Sequence, residues 1–282
     1  MKIFGRLKTG LSITLRSVSV LRDYPKLVLF PLIAGVAGLS FLGMLGASLF
    51  VVNETSELVL YAALFVFYFG STFVASFFTA GLVYCADSVF RGEKPRIRSG
   101  LRAAAGTVGP ILIWSVISAT VGVILQAVTD DDTALSTVVT AVIGAAWSVI
   151  TYFIVPVIVL EDTSVFEMFS RSKETVTQTW GESLGAIVGV GFVSFLFGLV
   201  GAIPGAVILV VSEPGSPVGL LILVAGILIG LAIEQTLVGI AKTALYRYAT
   251  ENELPDYFDG IDLGDGERSG RGRSERTFGG NI

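Results

Sequence analysis

The chain of 282 residues is 53% apolar and only 15% charged, with a formal net charge of −4 and a mean hydropathy of +0.78. A water-soluble domain does not carry that balance, so the composition specifies an integral membrane protein. With no histidine and a single cysteine, Cys85, the chain has no histidine-based acid–base or metal chemistry, no Ser-His-Asp or Cys-His nucleophile and no internal disulfide.

Residues 1–26 read as a basic amphipathic segment. Phe4, Leu7, Leu11, Leu15 and Val18 recur at helical spacing while Lys2, Arg6, Lys8 and Arg16 occupy the remaining surface, a pattern suited to the lipid headgroup layer. A membrane domain over residues 27–249 follows. A helix needs about 20 apolar residues to cross roughly 30 Å of hydrocarbon, and six runs almost free of charge meet that length: 27–52, 58–86, 106–129, 134–160, 183–212 and 217–241. The first follows a basic stretch, but it is far longer than the apolar region of a cleaved signal peptide, so it reads as a retained span. None alternates with the period of two that a barrel strand requires. The fold class is therefore all-α, a polytopic bundle of six transmembrane helices.

Short amphipathic helices are expected on the cytoplasmic side before spans one, three and five. Ile97, Leu101, Ala105 and Val108 form the second apolar stripe, after a turn at Gly92 to Pro95. Phe166, Phe169, Val176 and Trp180 form the third, where Glu167 and Arg171 have the spacing of an i,i+4 ion pair. The unit of short helix, span, outer turn and span thus recurs three times, at a period of roughly 80 residues.

All 19 lysines and arginines fall in segments on one side of this arrangement, whereas the opposite turns carry only acids: Glu54, Glu57, Asp130, Asp131, Asp132 and Glu213. Positive charge is retained inside, so both termini are expected in the cytoplasm and the protein in the plasma membrane. Residues 250–282 turn Asp-rich and then Gly/Arg/Ser-rich. They lack the apolar area to offset chain entropy and read as a disordered cytoplasmic tail, with Gly270 to Arg273 as a solvated terminus.

Three features inside the spans bear on function. Small residues four apart, Gly185 with Gly189, Gly201 with Gly205 and Gly226 with Gly230, allow close helix packing in lipid. Pro156 and Pro204 should bend spans four and five, and a cavity could open between the bends. Ionisable groups at membrane depth are scarce; Glu234 beside Gln235 is the main candidate polar site, and Asp87 marks the end of span two at the membrane interface. No facing pair of carboxylates, no serine beside a base and no phosphate-cradling loop is present, so no catalytic, cofactor or metal site is expected.

Residues 147–161, WSVITYFIVPVIVLE, continue through Phe166 to Ser172 and Thr179-Trp180-Gly181-Glu182. Together with the segment from Gly92 to Ala105, which holds Arg98, Gly100, Leu101 and Arg102, and with ALYRYA at 244–249, they resemble a family of prokaryotic six-span integral membrane proteins known only as a domain of unknown function. The resemblance implies fold and location, covers the chain to Ala249 and brings no activity with it. The expected function is a non-enzymatic envelope or scaffold component of the membrane; the alternative is a permease or lipid-handling transporter for a neutral or hydrophobic substrate. Membrane lipids are the expected partners, with a second copy or another membrane protein as a further candidate. No nucleic acid and no cofactor are expected.

Overall fold

The computed structural model describes residues 2–52, 56–129, 134–161, 165–178, 199–211, 217–251 and 254–259. Among these every regular element is helical. They are α1 (Lys2–Asp23), α2 (Leu29–Val52), α3 (Glu57–Phe90), α4 (Ile97–Gly106), α5 (Val108–Thr129), α6 (Ala134–Ile150), α7 (Ile154–Leu160), α8 (Val165–Gln178), α9 (Leu199–Val211) and α10 (Pro217–Glu251). One-turn 3-10 segments, Pro25–Val28 and Asp256–Phe258, join α1 to α2 and follow α10. Among the described residues, five helical stretches are long and apolar enough to cross a membrane: Pro25–Phe50, Glu57–Phe90, Val108–Val128, Val138–Leu160 and Pro217–Glu251. The expected span at 183–212, with Gly185 and Gly189, lies outside the described residues up to 198. Its remainder, α9, is continuous through Pro204.

The central element is α3, which packs against α2, α4, α5, α7 and α10. Its two halves have different surroundings. Between Ala80 and Val89 nearly every residue is buried, whereas toward Glu57 the helix shows apolar side chains to the outside, Leu58 at 80% exposure. The same gradient runs along α10, from Val218 at 61% to Leu237 through Tyr246, all but a few of which are buried. Apolar surface open at the acidic ends is what a helix facing hydrocarbon presents, since lipid tails solvate leucine as well as a protein core does. The packed core gathers at the basic ends, where α1, α4, α7 and α8 close around α3 and α10.

Glycine sets how closely these helices approach. A Cβ on Gly100 would come within 2.6 Å of the Gly81 carbonyl oxygen and 2.7 Å of the Phe30 ring, so α4 crosses α3 backbone to backbone. At the other end a Cβ on Gly201 would lie 2.6 Å from the Gly226 carbonyl oxygen, and one on Gly205 or Gly226 would fall on the backbone of Leu223 or Gly201. Gly201, Gly205 and Gly226 therefore form the α9–α10 contact, and Gly230 is buried in the same helix.

The helix of the second expected span, 58–86, runs on to Phe90, with Asp87 paired to Arg91. Three expectations need correction. The fourth span is interrupted at Thr151–Phe153 instead of merely bent. On α1 the side chains buried against the bundle are Ile13, Ser17 and Val20, while Leu15 from the apolar stripe is 56% exposed on the opposite side of the helix, so α1 carries two apolar faces. The tail does not begin at 250: helix runs to Glu251 and Leu254–Asp259 is docked. Phe258 is fully buried with its ring edge-on to Phe90 at 5.7 Å, Arg16 donates to the Asp259 carbonyl at 3.2 Å, and the Tyr257 hydroxyl donates to Asp23 at 3.0 Å. One aromatic side chain supplied the apolar area that the surrounding acidic composition concealed. Residues from 260 lie outside the described part.

Burial, and then the hydrogen bond to Asp23, push the Tyr257 phenol up from 10.0 to about 12. A raised pKa here means that docking favours the neutral phenol, so its contribution is complete below pH 10 and is lost as pH rises through about 12. Exchange of backbone amides in 254–259 should accelerate over that window by more than hydroxide catalysis alone accounts for, and Tyr257→Phe should remove that excess. In the membrane, Gly226→Val should separate α9 from α10 and lower the thermal midpoint in detergent, whereas Gly46→Val, where a Cβ meets nothing within 4 Å, should leave it unchanged.

Candidate functional site

The polar groups of the bundle converge at its basic end, in a cleft of ≈ 360 Å³ between the last turns of α3, α7 and α10. Its walls hold Asp87 and Arg91 from α3, Glu161 just beyond α7, and Tyr246, Arg247 and Glu251 from α10. Helical spacing places these residues: Asp87 and Arg91 are one turn apart, as are Arg247 and Glu251, so each helix contributes an i,i+4 ion pair.

Asp87 joins the helices. It is only 7% exposed, accepts from Arg91 Nη2 at Oδ2, and has Arg247 Nη1 3.5 Å from Oδ1. Arg247 is itself largely buried; its Nε and Nη2 donate to Glu251 Oε2 at 3.1 and 2.6 Å, while Nη1 makes no hydrogen bond and is held by Coulomb attraction to Asp87 alone. Asp87, expected at the end of span two, is therefore also a charge that links α3 to α10. Removing one partner of such a buried pair leaves the other charge uncompensated, at a cost of about 3 kcal/mol.

A second branch runs through Glu161. The Tyr246 hydroxyl donates to Oε1, and Arg171 Nε lies 3.5 Å from Oε2, with Arg171 Nη1 3.6 Å from Glu174. Arg171 thus faces both Glu161 and Glu174. The break in the fourth span positions this branch. Pro156 has no N–H for the Tyr152 carbonyl, and its ring crowds that oxygen, so the preceding turn tightens: Tyr152 N bonds Val149 O and Ile154 N bonds Thr151 O. Phe153 N and Ile150 O are left without helical partners. The Ser172 hydroxyl serves both, accepting from Phe153 N at 3.1 Å and donating to Ile150 O at 2.6 Å. That buried serine fixes α8 to the break and so brings Arg171 to Glu161. Below the cleft, Lys242 Nζ sits 4.3 Å from the centre of the Tyr152 ring, and Tyr152, Phe153 and Tyr246 form a chain of ring contacts.

The other candidate polar residues lie elsewhere. Glu234 is half-buried on α10 with no ion pair to a described residue, and Gln235 lines a separate groove between α2, α3 and α10. Pro156 is buried in the core and Pro204 is exposed on α9, and neither lines that groove or the cleft. Among the described residues no three His, Cys, Asp or Glu side chains are placed to hold a metal ion. Cys85 is buried, with its thiol 3.5 Å from the Arg96 carbonyl oxygen, where it packs against Gly100. Sequence reasoning missed Arg247, Tyr246 and Ser172 as site residues, although all three fall in the stretches on which the family resemblance rested.

Asp87→Asn and Arg247→Gln should each lower stability by on the order of 3 kcal/mol, and the double variant by much less than the sum of the two. Tyr246→Phe, which takes a donor from a carboxylate, should cost about 2 kcal/mol. Denaturation in a fixed detergent measures all four.

No curated protein and no solved structure matches the chain. One family does, over residues 58–254, which include α3 from its second residue, both branches of the cleft and all of α10. The chain belongs to that family, the family of unknown function DUF6159.

Proposed function

We propose that the protein is a non-enzymatic, multi-pass component of the plasma membrane, with six spans and both termini in the cytoplasm, whose basic end is a rigid scaffold for lipids or other membrane proteins. The observation that carries this reading is the pairing in the cleft: Asp87 with Arg91 and Arg247, Arg247 with Glu251, Tyr246 and Arg171 with Glu161. Carboxylates so occupied serve as fasteners between helices; a general acid, a nucleophile or an ion-coupling group would need a free acceptor or a route to a substrate. The contacts of Phe90 with Phe258 and of Arg16 with Asp259 support a shared side for the two terminal segments and the loop after α3. The basic residues of these segments favour the cytoplasm for that side.

If the cleft is a fastener, reversing its polarity should preserve it. Asp87→Arg with Arg91→Glu, combined with Arg247→Glu and Glu251→Arg, should recover most of the membrane accumulation and thermal stability that either helix's pair of changes alone removes, and sealed vesicles containing the protein should hold a proton or sodium gradient as long as empty ones. Recovery of neither property, or a leak abolished by Asp87→Asn, would instead favour a transporter.

A further inference from the structure

The helix α5 fixes the depth of the segment that precedes it. Its apolar stretch Val108–Val128 has 21 residues, about 31 Å of helix against roughly 30 Å of hydrocarbon, so its first residue stands at the boundary of the apolar layer. Two contacts set the register of α5 on α3: the Trp114 indole donates to Ser76 at 3.1 Å, and a Cβ on Gly122 would lie 3.0 Å from the Tyr68 ring. The interval is eight residues on both helices and runs in the antiparallel sense, which puts Val108 level with Leu82. Gly100 meets α3 at Gly81, the same level. The chain from Gly100 to Val108 therefore passes with almost no change of depth, and α4 lies across α3 along the boundary of the apolar layer.

One side of α4 is anchored and the other is charged. Gly92, at φ 77°, turns the chain back after α3, and the Cys85 thiol donates to the Arg96 carbonyl oxygen at 3.5 Å. Gly100 and Ala104 are buried toward α3, with Ile97 and Leu101 packed on the core beside them. Arg98 and Arg102 are exposed. Each precedes one of the buried pair by two positions, about 200° of helix, so both point away from α3 and out of the bundle. Lys94 and Arg96 are exposed in the turn before α4. The segment 91–107 holds a single acid, Glu93, and among the described residues none of these four cations makes an ion pair, in contrast to Arg91, Arg171 and Arg247 at the cleft.

Unpaired guanidinium groups held at the edge of hydrocarbon call for oxyanions, and the oxyanions at that depth are lipid phosphates. We propose that Lys94, Arg96, Arg98 and Arg102 form a binding surface for the headgroups of anionic phospholipids in the leaflet on the basic side. Charge selects the anionic lipid over a zwitterionic one, whose ammonium group is repelled by the same four cations. Depth selects lipid over a soluble acidic partner, because the surface is level with the first residue of a span. The assignment rests on the reading of the basic end as a lipid scaffold and names the lipid; the cleft residues take no part in it.

The full-length protein in phosphatidylcholine vesicles tests it, with a trace of phosphatidylglycerol carrying a photoreactive group beside its headgroup and, in parallel, a trace of phosphatidylcholine carrying the same group. Illumination and peptide mapping should show a marked excess of phosphatidylglycerol adducts on residues 94–105. Arg98→Gln should reduce that excess about fivefold, and Arg98→Gln with Arg102→Gln on the order of tenfold or more, without changing the phosphatidylcholine adducts. Arg98→Lys with Arg102→Lys, which keeps the charges, should retain most of the excess, and Lys173→Gln, at an exposed cation on α8, should leave it unchanged. Equal labelling by the two lipids, or an excess indifferent to the paired glutamines, would overturn the proposal. So would an excess that emerges only when residues 260–282 are removed, since the acids of the chain's own terminal segment would then be the occupant. The charge-swap and gradient experiments involve none of these side chains, so failure of the scaffold reading is distinguishable from failure of this surface.

Discussion

The contact between Asp87 on α3 and Arg247 on α10 is the constraint on which the rest of the bundle depends. Helices in hydrocarbon gain nothing from hiding leucine from lipid, so they stay together through close backbone approach and through polar groups that lipid cannot satisfy. Asp87 and Arg247 are such groups. Each would be costly alone at the edge of an apolar layer, and each removes the other's cost. Because α3 also touches α2, α4, α5 and α7, fastening it to α10 organises most of the described structure at once.

Around that contact the molecule divides into a packed end and an open end. The packed end uses several devices of different chemistry: the glycine crossing of α3 and α4, Ser172 bridging the break before Pro156, the indole of Trp114 donating to Ser76 at 3.1 Å, and Phe258 returning the chain beneath α1. The open end relies on α9 and α10 pressed together at Gly201 and Gly226, with apolar side chains elsewhere turned outward. With this distribution the bundle is fastened where the charges meet and open at its acidic end.

The long spans are legible in the sequence because bilayer thickness imposes a length on any apolar run, and the glycines of α9 and α10 are legible because four-residue spacing repeats on one helix face. Pairings between distant segments are not. Nothing local to Asp87 says that Arg247 lies beside it, so a charge at the end of a span reads as an interface marker. Pro156 announces a distortion, but not which carbonyl it releases or that Ser172 will take it. Gly81 and Gly100 have no repeat to advertise them, since each meets a residue on another helix. Phe258 is hidden by its Asp-rich neighbours, as burial of one aromatic residue outweighs the composition of a window around it. The stretches that resemble the family fared better: they hold Glu161, Arg171, Ser172, Tyr246 and Arg247, the residues that meet in space.

The division into a fastened end and an open end is most directly tested by pulsed electron spin resonance distances in lipid nanodiscs, on a Cys85→Ala background. One spin-label pair would join residues 93 and 249 at the basic ends of α3 and α10, and another residues 58 and 218 at their acidic ends. The account predicts a narrow distribution for the first pair, a broad one for the second, and marked broadening of the first alone on Asp87→Asn. Equal widths for the two pairs, or a first distribution indifferent to Asp87→Asn, would contradict it.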